Sequence, residues 1–213
     1  MRSRVILLLL VGASVLSGCN QLVSKEPWFQ PDPAASVLRD GVWRIEKADC
    51  VFDETAPVQR WPDCADWVVL KDGKPVALPP KREGANNSAD GSLVWSPGDP
   101  LILQAEHLSK SEDGKPERIF TYTGVQVDAR DPAGRITKVT TWPVICGPLT
   151  EGKYPETAGE NVSSQPWPGL TVAEGSCTAE SASAVRGAAR LSYREGAIKE
   201  NLGRFKWVRD RAR

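Results

Sequence analysis

Four Asp-Gly pairs, Asp40-Gly41, Asp72-Gly73, Asp90-Gly91 and Asp113-Gly114, punctuate runs rich in Val, Ile, Thr and aromatic residues. This punctuation constrains the fold more than any other feature. Asp and Gly tolerate the positive φ angles that tight hairpin turns demand, while β-branched and aromatic side chains suit a pleated, half-buried surface. Turn signals at intervals of roughly 20–30 residues imply a mainly β chain, an antiparallel meander that closes as a barrel or packs as a sandwich.

The runs can be placed one by one. Gly41 to Ile45 reads as a first strand. Trp67 to Leu70 and Pro75 to Leu78 form a hairpin about Asp72-Gly73. Leu93 to Trp95 and Pro100 to Glu106 follow. Ile119 to Ala129 and Arg135 to Ile145 are the longest strands, joined by Asp131-Pro132-Ala133-Gly134, which suits a type I turn closed by glycine. Gly147 to Gly169 is polar and rich in Pro and Gly, and a loop of that length is commonly functional or disordered. Leu170 to Ser176 is a further strand. Thr178 to Arg190 is the one late helix, with Glu180 in its first turn, where it favours the dipole. Ala182, Val185, Ala188, Ala189 and Leu191 give that helix a narrow face suited to close packing on a sheet. Arg204 to Arg209 is the last strand.

The amino terminus has its own signature. Arg2 and Arg4 form a positive region, Val5 to Val11 an apolar one too short to span a bilayer, and Leu16-Ser17-Gly18-Cys19 follows. The tetrad resembles the lipobox of bacterial lipoproteins. That resemblance implies that residues 1–18 are a signal peptide cut by signal peptidase II, that Cys19 receives a diacylglycerol, and that its new amine is acylated, as by palmitate. Two or three chains hold where one would not, since each buried methylene contributes about 0.8 kcal/mol. By the enterobacterial sorting pattern, Asn20 in place of Asp directs such a protein to the outer membrane of a Gram-negative envelope, there facing the periplasm. Residues 19–40, with Pro27, Pro31 and Pro33, then read as a stiff lipidated tether. The Trp28-Phe29 pair in it lies in the headgroup layer or packs on the domain. Residues 41–213 form a single β-rich domain.

Besides Cys19, the chain has Cys50, Cys64, Cys146 and Cys177. An even number in an exported chain reads as disulfides. Three pairings are possible. The sequential one, Cys50–Cys64 and Cys146–Cys177, closes the two shortest loops and is the expectation. No Cys-x-x-Cys pair exists and there is one histidine, so no metal site or cofactor is expected.

Charge and motifs narrow function by exclusion. Lys plus Arg equals Asp plus Glu, 27 against 27, so no uncompensated basic surface argues for nucleic acid. The C-terminal Arg204, Lys206, Arg209, Arg211 and Arg213 are interspersed with acids and read as a solvated strand and tail. Glycine-rich phosphate loops are absent. His107 is the only imidazole, and in a strand Glu106 points to the opposite face, so no orienting pair forms. Asp49, Asp53, Glu54, Asp63 and Asp66 cluster around the Cys50–Cys64 loop; paired acids serve glycosidases or calcium, but here they read as a solvated loop. No catalytic residue is expected, and the chain is read as no enzyme.

Eight tryptophans are the remaining oddity. Trp43, Trp67, Trp95, Trp142 and Trp207 fall on strands and read as core. Trp61 and Trp167 sit beside prolines, in Trp61-Pro62 and Pro166-Trp167-Pro168, where they cap the core or offer a face to a partner; they are the candidate binding residues. Gly41-Val42-Trp43 resembles the Gly-x-Trp of lipocalins, and with the following cysteines is similar to barrel-type inhibitors of periplasmic metallopeptidases. Two readings result: an envelope lipoprotein, held to the membrane through Cys19, whose non-enzymatic domain binds an envelope protein or cell-wall polymer; or a lipocalin-like inhibitor of a periplasmic or host hydrolase.

Overall fold

A computed structural model describes residues 20–32, 38–77, 92–110, 114–148, 163, 165–173, 176–194 and 202–210. Strands dominate: β1 (Val23–Ser24), β2 (Gly41–Ile45), β3 (Trp67–Lys71), β4 (Lys74–Ala77), β5 (Leu93–Ser96), β6 (Leu101–Lys110), β7 (Pro116–Arg130), β8 (Ile136–Pro143), β9 (Leu170–Ala173), β10 (Ser176–Ala179) and β11 (Gly203–Arg209), with one helix, α1 (Ala182–Arg194). The main sheet runs β4-β3-β2-β11-β8-β7-β6-β5, antiparallel throughout. It is the expected meander with the last strand returning to the first. β11 lies between β8 and β2, so the sheet curls into a nearly closed barrel whose edges are β4 and β5.

Alternation sorts the side chains. Trp43, Val68, Leu70, Trp95, Leu101, Leu103, Val125, Val139, Phe205 and Trp207 share one cluster, drawn from strands all around the sheet, and fill its interior. Their neighbours in sequence face outward and are covered in two places. Over β2, β3 and β11, the Cys50–Cys64 loop buries Val42, Val58, Trp61 and Ala65. Over β5 to β8, β1, the β9–β10 hairpin and α1 bury Ile102, Phe120, Tyr122, Val144 and the small helix residues Ala184, Val185, Ala188 and Ala189. Close helix approach needs those small residues, and it needs Gly124: a Cβ there would lie 2.3 Å from the Trp142 indole. That indole donates its N–H to Ala189 O at 2.8 Å.

Both disulfides form in the sequential pairing, each closing one of the covers. Elsewhere the structure corrects the sequence reading. The helix spans Ala182–Arg194, because Thr178 pairs with Thr171 in the β9–β10 hairpin and Ser181 supplies the cap, its Oγ accepting the Ala184 N–H at 3.1 Å. Glu180 thus precedes the helix, and its N–H donates to Gly169 O. Residues 20–32 differ most. In place of a spacer they lie along the barrel and bury Asn20, Leu22, Ser24 and Phe29.

Candidate functional site

The expected lipobox and signal peptide, Cys19 included, lie outside the described residues, but the chain directly after Cys19 is fixed in detail. Asn20 is 0% exposed. Its Nδ2 donates to Gly147 O at 3.0 Å, its Oδ1 accepts the Ser163 N–H at 3.2 Å, and its backbone oxygen accepts the Cys146 N–H at 2.7 Å. Both ends of the amide are therefore satisfied, as a buried polar group requires. Gln21 bridges Ile145 and Leu22 bridges Cys177. Leu22, also fully buried, donates its N–H to Val144 O. Val23 and Ser24 then add to β7 opposite Thr121 and Phe120, and the Ser24 hydroxyl meets the Tyr122 phenol.

The strip ends in a second polar clamp. Gln104, 2% exposed, accepts the Phe29 N–H and donates to Phe29 O, both at 3.0 Å. Phe29 is buried with its ring edge-on to Tyr122, and Trp28 packs half-buried beside that cluster. Proline and polar residues had made this segment read as solvated. Asn20, Ser24 and the Phe29 backbone meet partners distant in sequence, and no local pattern announces such partners.

Trp167 belongs to the same region. Its N–H donates to Cys146 O at 2.7 Å, so Asn20, Cys146 and Trp167 are linked through consecutive backbone bonds. The indole is half-buried against the outer cluster, and its Nε1 is buried with no hydrogen-bond partner among the described residues. Trp61 behaves otherwise. It is 8% exposed, donates Nε1 to Ala56 O, and packs its ring on Phe52 at 4.9 Å and beneath the Arg209 guanidinium at 5.4 Å. As a candidate binding residue Trp61 is corrected to a capping one: its prolines position it over the core and leave little face to solvent.

The acids near Trp61 are also committed within the fold. Glu54 pairs with Arg44 and Lys206, Asp66 with Lys47, and Asp53 accepts from the Thr55 N–H and hydroxyl. The Thr55 bonds hold the Asp53 carboxyl below its ordinary range. Arg209 donates to the carbonyls of Glu54, Thr55 and Ala56, so part of the C-terminal basic run is structural. Among the described residues no group of His, Cys, Asp and Glu is arranged to hold a metal ion. His107 Nε2 is hydrogen-bonded to Thr121 Oγ1 at 2.9 Å, and burial lowers its pKa. Glu106 turns away to Ser92 and Arg118.

A groove of about 620 Å³ opens beside the second cover, between the last turns of α1, the Pro97–Leu101 segment and β7. Its charged lining is Asp99, Arg130, Arg190 and Arg194, and its aromatic lining Trp142 and Tyr193. Those two rings pack with centroids 4.6 Å apart, tilted by 45°. Arg186 braces the rim, donating to Ser96 Oγ and to the carbonyls of Pro97 and Pro100. Arginines four residues apart on the late helix are the one sign of this groove in the sequence.

The fold thus defines the class: a disulfide-stapled antiparallel barrel with two external covers. Compared with known proteins, the chain matches no family model, no curated protein and no solved structure. No helix among the described residues is long and apolar enough to cross a membrane.

Proposed function

We propose that the chain is a lipoprotein of a Gram-negative outer membrane, anchored through Cys19 and facing the periplasm, whose β-rich domain binds and does not catalyse. One observation carries this reading: Asn20, next to the expected lipidated cysteine, is fully buried and hydrogen-bonded to Gly147, Ser163 and Cys146. Consecutive Cα atoms are about 3.8 Å apart, so a lipid on residue 19 leaves the domain at a fixed point. The anchor then holds the barrel against the membrane, with no free leash, and Trp167 lies near the attachment point. An amphipathic indole suits that interfacial level. The non-enzymatic part of the reading rests on His107, whose imidazole is engaged by Thr121 while Glu106 faces elsewhere.

The test is Cys19→Ala in the native host. The variant should carry no acyl chain and should escape cleavage by signal peptidase II. Intact-mass analysis of wild type should show a mature chain starting at Cys19 with acyl additions. An unmodified mature chain would refute the proposal.

A further inference from the structure

We propose that the groove beside α1 is a binding site for an anionic saccharide, a sugar ring bearing a phosphate or carboxylate group. This goes beyond the anchoring reading and does not depend on it, because the groove is built entirely from described residues of the domain.

The charge of the site comes first. Arg186, Arg190 and Arg194 are spaced four residues apart and share one helix face. Like charges at that spacing repel. Burial lowers the Arg186 pKa, and the Arg190 charge lowers it further. Proximity to the helix C-terminus offsets part of this for Arg194, which lies in the last turn. Arg186 is engaged by the loop carbonyls. Arg190 and Arg194 are exposed, and neither makes a hydrogen bond or ion pair with a described residue. Other arginines of the barrel have acids: Arg39 meets Asp131 and Asp210, Arg44 meets Glu54, and Arg135 meets Asp131. Two cations one turn apart in a groove, with Arg130 at its border, lack a counter-anion within the described chain. Guanidinium forks match the planar oxygens of carboxylate and phosphate.

The ring requirement comes from Tyr193. It is 42% exposed, yet packed at a tilt on Trp142, itself held by its bond to Ala189. A preset aromatic surface loses little freedom on binding and suits the apolar face of a sugar ring. Hydroxyls are required by Asp99, the one carboxylate in the lining, which has no partner among the described residues and can only accept. A plain anion would be repelled by it; a sugar hydroxyl would donate to it. The rim is preformed, since a Cβ on Gly98 would lie 2.4 Å from the Arg186 guanidinium that braces it. The volume lies within the range of small-ligand sites.

The test is calorimetric titration of the full-length protein in detergent with N-acetylglucosamine 1-phosphate, N-acetylglucosamine, inorganic phosphate and, separately, phosphatidylglycerol vesicles. The sugar phosphate should bind at least tenfold more tightly than either half alone. Arg190→Gln with Arg194→Gln should abolish that advantage. Tyr193→Ala should weaken the sugar phosphate several-fold and leave inorganic phosphate unchanged. All three side chains are exposed, so melting temperatures should hold; if the double Gln variant melts early, Arg190→Lys with Arg194→Lys keeps the charge and should still lose several-fold. Binding also survives Cys19→Ala, which separates this inference from lipidation. Equal binding of neutral sugar, equal binding of inorganic phosphate, indifference to the variants, or arginine-dependent binding to vesicles alone would each overturn it.

Discussion

The barrel carries two disulfide-stapled covers, and they differ in what they leave unsatisfied. The first, closed by Cys50–Cys64, is self-contained: Trp61 has its acceptor, Glu54 has two cations, and Arg209 has three carbonyls. The second, closed by Cys146–Cys177, holds the Asn20–Ser24 segment and keeps groups in reserve: a Trp167 indole and two arginines whose side chains have no partner among the described residues, and a half-exposed Tyr193. Equal staples do not mean equal roles. The first cover matches most of its polar groups internally and completes the core, whereas the second leaves Arg190, Arg194 and Tyr193 exposed at its edge.

The sharpest way to break this comparison is to truncate a tryptophan in each cover. Trp61→Ala should cost about 3–5 kcal/mol, the loss of a buried aromatic together with the cavity it leaves. Chemical denaturation would measure it. Trp167→Ala should cost only about 1 kcal/mol while weakening capture of envelope partners from solubilised membranes. Equal losses of stability would erase the distinction between the covers.

Removing the staples sharpens it further. Replacing Cys50 and Cys64 with Ala should cost about 3 kcal/mol, and replacing Cys146 and Cys177 about 3.5 kcal/mol, following loop lengths set by separations of 14 and 31 residues. Only the second pair should also loosen the Asn20–Ser24 strip, since Cys146 and Cys177 both touch it.

The smallest expected effect is a pH slope. Burial lowers the His107 pKa below its ordinary value of 6.5, so the unfolded chain binds more protons in that window. Stability should be fully present above about pH 6.5 and decline as pH falls toward the lower folded pKa. His107→Gln should flatten that part of the curve and leave function intact.

The turn chemistry made most of the barrel legible. Asp72 and Gly73 both adopt the positive φ their pairing promised, at 52° and 71°, and β2 spans Gly41–Ile45 as read. The Asp131–Gly134 turn forms, with Gly134 at φ 81° donating to Asp131 O. Part of the helix face was legible: Val185, Ala188 and Ala189 are buried as read, while Ala184 and Ser192 complete the face in place of Ala182 and Leu191. The helix start was not, since Thr178 and Ala179 suit a strand equally well and the β9–β10 pairing decided it. The buried strip was least legible. Asn20, Ser24 and Gln104 are polar, and only three-dimensional partners make their burial favourable. The groove was hidden for the same reason, because it joins α1 to segments about 60 to 100 residues earlier.

The central claim, that the chain after residue 19 is part of the fold and no tether, is tested most directly by hydrogen exchange on the full-length protein in detergent. The Leu22 and Cys146 amides, bonded to Val144 O and Asn20 O, should exchange as slowly as the β7–β8 ladder, with opening energies close to that of global unfolding. Asn20→Ala, which leaves the Gly147 carbonyl and Ser163 N–H without their partner, should lower that protection by about 1–3 kcal/mol. Exchange of both amides at the rate of an unprotected linker in the wild-type protein would contradict the account.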